Sequence, residues 1–404
     1  MRVLLSTIGS RGDVQPLVAL ALELEALGQQ VHLCAPPDFR DWIESFGLAM
    51  TPIGPEVRKA AAALPTPAEG PPSPERLRQL AEATVATQFE TIAAAARGCD
   101  AIVGATALQL AAPSVAERMG VPYVFAAYCP TVLPSAHHPP IPLGMRGDAP
   151  PAAADNAERW AADARRWNTT WGSALNAHRA KLGLAPISDV RGYVHTERPW
   201  LAADPTMGPW PDPSDERVYQ PGAWILADDR PLSPELERFL DAGEPPVYFG
   251  FGSMRAQSDL ARAMVESARA LGRRAIVSRG WADLSLADDA PDYLVIGEAN
   301  LQTLFERVAA VVHHGGAGTT TAAARAGAPQ VVVPQMYDQH YWARRVEHLG
   351  IGTAHAPGVP TGASLTGALE RTLRPDVVAS ARSVAGRVRG DGAQVAARRL
   401  VNAA

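Results

Sequence analysis

Residues 309–321, which read AAVVHHGGAGTTT, decide the fold of this chain. The small and β-branched apolar residues at the start of the stretch are typical of a strand buried on both faces. The side chains then shrink to glycine and alanine, and the threonines lead into a run of alanines that favours a helix. A strand, a glycine turn and a helix start leave several backbone N–H groups pointing the same way. We therefore predict an anion site suited to a phosphate group.

Residues in this turn strengthen the phosphate hypothesis. Gly315, Gly316 and Gly318 lack the Cβ atom that would keep a phosphate away from the backbone. His314 can add a ring N–H, and Thr319 a hydroxyl group, to the same oxygens. The alternative is a tight strand-to-helix turn that binds no ligand.

The glycine pattern narrows the class of ligand. No Gly-Lys-Ser/Thr follows the glycines, so the stretch is not a P-loop. As a dinucleotide fingerprint it places Thr321 where the third glycine belongs. Asp338 lies about twenty residues further on, at the position of a ribose-binding acid, which keeps an NAD(P)-dependent oxidoreductase as an alternative. We expect a mononucleotide ligand.

The composition disfavours several function classes. The 404 residues suit two domains, and 47% hydrophobic with 20% charged residues is ordinary for a globular protein. The net charge of −5 argues against nucleic acid and anionic membranes as partners. Three widely spaced cysteines give no disulfide framework or metal-ligand spacing and suit a reducing cytoplasm. We find no membrane-spanning run and no signal peptide, so we expect a cytoplasmic protein, as a monomer.

Strands and helices alternate in both halves of the chain, which predicts an α/β fold with parallel sheets. The first half opens with a strand over residues 2–8 and a helix near residues 15–27, and the second half restarts with a strand over residues 246–251. Both opening strands lead into Gly-Ser, at Gly9 and Gly252. We therefore predict two Rossmann-like, doubly wound domains facing across a cleft, with ligands at the carboxyl ends of the strands.

Three stretches do not fit this alternation. Residues 200–233 are rich in proline and turn residues and are interpreted as an ordered linker. Residues 60–73 and 130–154 also lack a regular pattern, because their prolines disrupt helices. Trp167 and Trp171 share one face of a predicted helix, where they either pack in the core or form an aromatic wall for a large, flat acceptor.

Side chains that follow the strands of the second half are candidate nucleotide contacts. Ser253 either caps a helix or contacts a phosphate. Arg279 and Trp281 follow the second strand, and Trp281 either packs on a nucleotide base or closes the sheet. Gln302 ends the loop after the third strand, whose backbone could contact a base edge.

Two acidic positions have both a functional and a structural interpretation. Asp338 and Gln339 place a carboxylate beside an amide, a pair that suits sugar hydroxyls, although Asp338 could instead be a helix N-cap. Asp13 lies in the loop entering the first helix, where a carboxylate could take a proton from an acceptor hydroxyl or could cap the helix. We expect no metal, since the chain has no Asp-x-Asp pair and no His/Glu cluster with helical spacing.

The chain resembles the glycosyltransferases of glycopeptide-antibiotic biosynthesis, of the vancomycin, chloroeremomycin and teicoplanin type. The motifs that carry the resemblance are GSRGDVQPLVAL at residues 9–20, HHGGAGTT at residues 313–320 and the pair Asp338-Gln339. Residues 199–205, 222–226 and 278–284 fit the same family, so the resemblance covers nearly the whole chain.

The resemblance implies the GT-B fold and a division of labour between its domains. Residues 1–204 would bind the acceptor, residues 205–232 would link the domains, and residues 233–385 would bind the nucleotide-sugar. A C-terminal helix within residues 386–404 would pack back on the N-terminal domain.

The resemblance also implies an inverting transfer with Asp13 as general base and Ser10 beside the reacting groups. The family's diphosphate positions correspond to His314, Gly315, Gly318 and Thr319, and its sugar-binding pair to Asp338 and Gln339. UDP-glucose is the first donor expected, then UDP-N-acetylglucosamine or a dTDP-sugar, with no further cofactor.

The acceptor implied by the resemblance is a crosslinked heptapeptide aglycone. We expect the irregular stretch 130–154 to bind it, through His137, His138 and Pro139. Two alternatives remain open at this point: transfer to another natural product, such as a macrolide, polyketide or sterol, and a nucleotide-sugar-binding module without activity.

Overall fold

The computed structural model describes residues 1–62, 73–106, 108–141, 155–252, 260–280 and 290–403. The strands are β1 (Arg2–Thr7), β2 (Gln30–Ala35), β3 (Ala49–Pro52), β4 (Ala101–Ala105), β5 (Tyr123–Ala127), β6 (Trp200–Leu201), β7 (Val247–Gly250), β8 (Ala275–Ser278), β9 (Tyr293–Ile296), β10 (Ala310–His313), β11 (Gln330–Val332) and β12 (Gly352–Ala354).

The helices are α1 (Arg11–Ala26), α2 (Arg40–Glu44), α3 (Val57–Ala62), α4 (Pro74–Ala95), α5 (Ala112–Met119), α6 (Asn156–Lys181), α7 (Val190–His195), α8 (Pro234–Asp241), α9 (Leu260–Ala270), α10 (Leu301–Phe305), α11 (Ala317–Arg325), α12 (Gln339–His348), α13 (Gly362–Thr372), α14 (Pro375–Ala385) and α15 (Gly392–Ala403). None of the helices in the described ranges combines the length and the apolar character needed to span a membrane.

The chain folds into two compact units. The first unit comprises residues 1–203, 209–226 and 390–404, and the second comprises residues 204–208 and 227–389. Each unit contains a six-stranded sheet whose strand pairs are all parallel. The α/β prediction with two parallel sheets is therefore confirmed.

Both sheets have the doubly wound strand order. The first sheet runs β3-β2-β1-β4-β5-β6 and the second runs β12-β11-β10-β7-β8-β9. The direction of winding reverses between β1 and β4 in the first sheet and between β7 and β10 in the second. Ligands of such sheets bind at these switch points, outside the carboxyl ends of the strands.

The second sheet is buried on both faces, because alternate residues of its strands point to opposite cores. Val312 and Phe249 pack in a core that includes residues of α9 and α13. Their neighbours Val311 and Tyr248 pack in another core, which includes residues of α8 and α10. An apolar strand with helices on both faces is what a parallel sheet requires.

Some element boundaries differ from the sequence predictions. Helix α1 starts at Arg11 rather than near residue 15, because Ser10 acts as its N-cap. The predicted linker 200–233 begins with β6, which pairs with β5, and a two-residue strand is too short to show a period. Residues 205–232 are divided between the two units.

Helix α15 belongs to the first unit, where it packs against α1. Gly222, with φ of +113°, contacts its first residue, Gly392, so closely that a Cβ on Gly392 would overlap the backbone at Gly222. Of the two irregular stretches, residues 63–72 and 142–154 lie outside the described ranges, and the start of the second forms a 3-10 turn at Pro130–Val132.

Candidate active site

Asp13 lies in the first turn of α1, at the carboxyl end of β1. The backbone N–H of Ser10 donates to Oδ2 of Asp13 at 2.6 Å, and the hydroxyl of Ser10 donates to the same oxygen at 3.1 Å. The N–H of Asp13 in turn donates to the carbonyl of Ser10 at 2.9 Å. The half-buried carboxylate therefore takes part in capping the helix and is oriented by it.

Two neighbours constrain Asp13 further. A Cβ atom on Gly9 would overlap the Asp13 carboxylate, so only glycine leaves room for the observed side-chain position. The hydroxyl of Tyr128, just after β5, donates to the carbonyl oxygen of Asp13 at 3.2 Å. Burial, and then the negative charge of Asp13, raise the pKa of Tyr128 well above its usual value, so this hydroxyl stays protonated and remains a donor.

In the second unit, His313 holds the end of β10. Its Nε2 lies 2.8 Å from Oε1 of Gln330, and the N–H of Gly315 donates to its Nδ1 at 3.1 Å. These partners assign the proton to Nε2. Burial lowers the pKa of His313 to about 3, so the ring is a neutral structural group. This pairing with Gln330 was not predicted; the only sequence signal was a polar residue at the end of an apolar strand.

His314 is half-buried between two glycines at the switch point. A Cβ on Gly316 would lie 2.8 Å from Nε2 of His314, and a Cβ on Gly252 would lie 3.1 Å from Cε1. Burial lowers the pKa of His314 to about 4, although a hydrogen bond with the Gly250 backbone acts in the opposite direction. At neutral pH the ring is therefore uncharged and has one N–H to donate.

The start of α11 presents backbone donors that the helix itself does not use. Its N-cap, Gly316, has no side chain, and no capping hydrogen bond forms. The N–H groups of Ala317, Gly318 and Thr319 therefore have no partner within the helix, as at any α-helix start. The hydroxyls of Thr320 and Thr321 donate to carbonyls one turn back, at 2.9 and 2.8 Å.

Gly315 shapes this turn. Its φ is +94°, which favours glycine, and a Cβ there would lie 2.7 Å from Cγ1 of Val332 and 3.1 Å from the carbonyl oxygen of Gln339. The start of α12 is thereby adjacent to the glycine turn. The structure thus brings the predicted diphosphate positions and the predicted sugar pair to the same part of the second unit.

The side chains of Asp338 and Gln339 make hydrogen bonds within the protein that we did not predict. Gln339 is 6% exposed, and its Oε1 accepts hydrogen bonds from the N–H groups of Gln335 at 2.8 Å and Met336 at 3.1 Å. Oδ2 of Asp338 accepts the indole N–H of Trp342 at 2.9 Å. Asp338 occupies the N-cap position of α12, as the alternative interpretation has it, but its side chain makes no capping hydrogen bond. Burial raises the pKa of Asp338.

The remaining nucleotide candidates are dispersed around the strand ends. Arg279 is exposed after β8, and a Cβ on the next residue, Gly280, would overlap the carbonyl oxygen of Gly252. Gln302 lies half-buried in the first turn of α10. Its neighbour Asn300, not singled out from the sequence, caps that helix and donates to the carbonyl oxygens of Asp228 and Arg230. Ser253 and Trp281 lie outside the described residues.

The acceptor candidates sit in an aromatic cluster of the first unit. The ring of His138 packs edge-on against Trp160 and Trp210, each with a centroid distance of 6.0 Å, and burial lowers its pKa. His137 and Pro139 on either side are exposed. Trp167 is buried, as the core interpretation predicts, while Trp171 is half-buried on the same helix.

Comparison with protein families finds two matches. The N-terminal domain of glycosyltransferase family 28 matches residues 3–137. The C-terminal domain described as erythromycin biosynthesis protein CIII-like matches residues 265–396. The two matches fall in opposite halves of the chain, one on each side of residue 203.

Characterised relatives align over the whole chain. Vancomycin aglycone glucosyltransferase of Amycolatopsis orientalis is 49% identical over 408 residues, which cover 100% of this chain and 98% of that protein. The dTDP-epi-vancosaminyltransferase of the same organism is 44% identical and covers 95% of this chain and 93% of that protein.

Solved structures share the fold at lower identity. The glycotransferase of kitacinnamycin has a TM-score of 0.73 at 20% identity, covering 99% of this chain and 98% of that one. The glycosyltransferase VinC, solved in complex with dTDP, has a TM-score of 0.66 at 21% identity, covering 100% and 99%. The fold is thus that of GT-B glycosyltransferases, and by full-length identity the chain belongs to the glycosyltransferase family of glycopeptide-antibiotic biosynthesis that includes vancomycin aglycone glucosyltransferase.

Proposed function

We propose that this glycosyltransferase moves a hexose, glucose or an N-acetylglucosamine-like sugar, from a UDP- or dTDP-sugar to a hydroxyl group of a glycopeptide aglycone, with inversion at the sugar carbon. The observation that carries the proposal is the turn between β10 and α11. An open helix start and the neutral ring of His314 converge there at the switch point of the second sheet. That combination of donors suits a diphosphate.

The donor site is assigned residue by residue. The diphosphate oxygens accept hydrogen bonds from the N–H groups of Gly318 and Thr319 and from Nε2 of His314, in the tautomer that carries the ring proton on Nε2. Gly315 and Gly316 let the phosphate approach. The nucleoside is contacted by Arg279 and Gln302, which follow neighbouring strands. From the sequence we add Ser253 as a phosphate contact and Trp281 as a base contact. This site accounts for the placement of small residues around His314.

The sugar-binding pair is the basis for proposing glucose. Asp338 accepts and Gln339 donates hydrogen bonds, so the pair suits a sugar whose hydroxyl groups are all present. The hydrogen bond from Trp342 to Oδ2 orients the Asp338 carboxylate, and the loop contacts of Gln339 orient its amide.

The chemical step uses groups of this chain only. Asp13 takes the proton from the acceptor hydroxyl, whose oxygen forms a bond to C1 of the sugar as the bond from C1 to the diphosphate oxygen breaks. The nucleoside diphosphate leaves with its charge stabilised by the start of α11 and by His314. Attack opposite to the leaving group inverts C1. Within the described residues, no group of three or more His, Cys, Asp and Glu side chains could hold a metal ion.

The acceptor is proposed from the relatives. The first relative acts on vancomycin aglycone, by its name, and the alignment covers the whole chain. We assign the acceptor site to the segment formed by His137, His138 and Pro139. Because the ring of His138 is packed against two tryptophans, the exposed neighbours would make the direct contacts and His138 would fix their position.

Product formation tests the proposal. The enzyme is incubated with vancomycin-type aglycone or, in parallel, with a macrolide, polyketide or sterol acceptor. Separate reactions contain UDP-glucose, UDP-N-acetylglucosamine or dTDP-glucose, with and without EDTA. We expect the mass of one hexose to be added, a β-linkage by NMR from the α-linked donor, and an unchanged rate in EDTA. An α-linked product would contradict inversion, and transfer only to macrolide, polyketide or sterol acceptors would contradict the acceptor class.

A further inference from the structure

Tyr128 connects Asp13 to an extended series of aromatic side chains within the first unit. Its hydroxyl donates to the carbonyl oxygen of Asp13 at 3.2 Å. Tyr128 thus binds the backbone of Asp13, whereas Ser10 binds its carboxylate. The first turn of α1 is therefore held at two points. One is local in sequence, and the other comes from a residue 115 positions away.

The ring of Tyr128 is itself held by Trp224. The two ring centroids are 6.1 Å apart and the planes meet at 73°, an edge-to-face contact. Trp224 packs on Trp200 at 6.4 Å and 84°, and Trp200 packs on Tyr219 at 5.3 Å and 65°. Both tryptophans are more than nine-tenths buried, so these contacts are fixed by the core of the unit.

The series ends at the C-terminal helix. The guanidinium group of Arg399, on α15, lies 5.1 Å from the ring centroid of Tyr219. Backbone hydrogen bonds tie this part of the series to β6: the N–H of Leu201 donates to the Tyr219 carbonyl at 2.8 Å, and the N–H of Tyr219 donates to the Pro199 carbonyl at 3.1 Å. Residues from the end of the chain are thus part of the support of its first helix.

We propose that Tyr128 is a positioning residue for Asp13 and that Trp224 acts through Tyr128 to keep the Asp13 carboxylate in position. This inference rests on the proposed role of Asp13 as the base. Segment 209–226 and α15 return to the first unit and hold the aromatic series in place, so they contribute to catalysis without contacting substrate.

The physical basis is the sensitivity of proton transfer to geometry. Misplacement of a catalytic group by about 1 Å costs on the order of a hundredfold in rate. Tyr128 fixes the backbone from which the Asp13 side chain extends, and its hydroxyl stays a donor because burial raises its pKa. Loss of the hydroxyl frees the turn on one side while the Ser10 contacts keep the helix formed. We therefore expect a lower kcat in a folded enzyme.

The principal test replaces Tyr128 by phenylalanine, which removes only the hydroxyl group. Tyr123→Phe is the matched control. Tyr123 is the first residue of β5, the strand that Tyr128 follows, and its buried hydroxyl has no hydrogen-bond partner among the described residues. We expect Tyr128→Phe to lower kcat about tenfold with an unchanged KM for the sugar nucleotide. We expect Tyr123→Phe to retain the kcat of the unmodified enzyme.

Double-mutant cycles separate a positioning role from a general structural one. In an Asp13→Asn background, Tyr128→Phe should cause no further loss of residual turnover, because that variant has no general base for Tyr128 to position. Trp224→Leu should lower kcat in the unmodified enzyme but have little further effect beside Tyr128→Phe, and Trp224→Phe should restore most of the activity by keeping an aromatic edge. Additive losses would overturn the inference.

The outcomes distinguish this inference from the proposed function. If Asp13→Asn turns over normally, the proposed base is wrong and Tyr128 has nothing to position. If Asp13→Asn is slow but Tyr128→Phe behaves like Tyr123→Phe, the base stands and the positioning role is overturned. Tyr128→Phe alone decides this point even if Trp224→Leu fails to fold.

Discussion

The backbone N–H and the hydroxyl group of Ser10 converge on one oxygen of Asp13, Oδ2, at 2.6 and 3.1 Å. The carboxylate is oriented by residues of its own helix turn before any substrate binds. Such preorganisation is what a catalytic group needs, because its rotamer is then fixed by neighbours and not by the substrate. The helix-cap and general-base interpretations of Asp13 are therefore compatible.

The role of Asp13 as base predicts the effect of Asp13→Asn. Asparagine can still accept the hydrogen bond from Ser10, so the helix start is retained, but it cannot take a proton. We expect kcat to fall by about 10²- to 10⁴-fold with the KM for the sugar nucleotide unchanged. Asp155→Asn is the control, since Asp155 caps α6 by accepting the N–H of Glu158 at 2.8 Å and asparagine caps as well. Equal rates in the two variants would refute the assignment.

A methyl group at residue 9 should misplace the base. The Cβ of Gly9→Ala would overlap the Asp13 carboxylate and push it aside. We expect a loss of kcat of about tenfold or more with little change in the melting temperature. In Gly12→Ala the new Cβ would meet only the Ser10 hydroxyl oxygen, at 3.8 Å, so this control should keep its activity. Steady-state rates and thermal melts of both variants provide the check, and an active Gly9→Ala enzyme would contradict the geometry.

The sugar-binding pair predicts a separation between sugar and nucleotide affinity. Asp338→Asn keeps an oxygen for the indole N–H of Trp342 but removes the charge that would accept hydrogen bonds from the sugar. Hydrogen bonds to charged groups contribute about 1.5–3 kcal/mol, so the KM for UDP-glucose should rise about tenfold or more. The Kd for UDP, measured by calorimetry, should not change. A parallel loss of UDP affinity would place Asp338 at the nucleotide instead.

The buried histidines predict sensitivity to acid. Burial lowers the pKa of His195 to about 3, whereas an unfolded histidine titrates near about 6.5. Below that higher value the unfolded chain binds more protons, so the free energy of unfolding should decrease as the pH falls, by up to about 1.4 kcal/mol per pH unit for one such histidine. Above the pKa of the unfolded histidine, the contribution of His195 to the free energy of unfolding no longer changes with pH. His313 and His314 act in the same direction.

His195→Leu isolates one of these contributions. Both ring nitrogens of His195 lack hydrogen-bond partners among the described residues, and the ring stacks on Phe125 at 4.5 Å. An apolar residue of similar size removes the proton binding at little cost near neutral pH. Urea unfolding from pH of about 7 to about 4.5 should give a shallower pH dependence for the variant. Parallel curves for variant and parent would show that His195 does not resist protonation.

The main features of the fold follow from local sequence. The apolar run before His313, the glycines and the alanine-rich helix predict β10 and α11, and the alternation of elements predicts parallel sheets; both predictions are confirmed. The early start of α1 and the short β6 were missed, because one depends on a cap and the other on pairing with β5. Neither leaves a periodic signal in the sequence.

The site was predicted as a set of residue types rather than as a set of contacts. The sequence predicted Asp338 and Gln339 as a pair. It did not predict the hydrogen bonds from the loop backbone to Gln339 or the hydrogen bond from the indole of Trp342 to Asp338. The pairing of His313 with Gln330 and the support of Asp13 by Tyr128 join residues far apart in the chain. Such partners become visible only when the strands are assembled. The family prediction is confirmed by the full-length relatives, which also set aside the oxidoreductase alternative.

A crystal structure of the enzyme with UDP would locate the diphosphate, whose binding at the turn between β10 and α11 is the basis of the proposed function. We predict phosphate oxygens within hydrogen-bonding distance of Nε2 of His314 and of the N–H groups of Gly318 and Thr319. A diphosphate bound away from the turn between β10 and α11 would contradict this prediction.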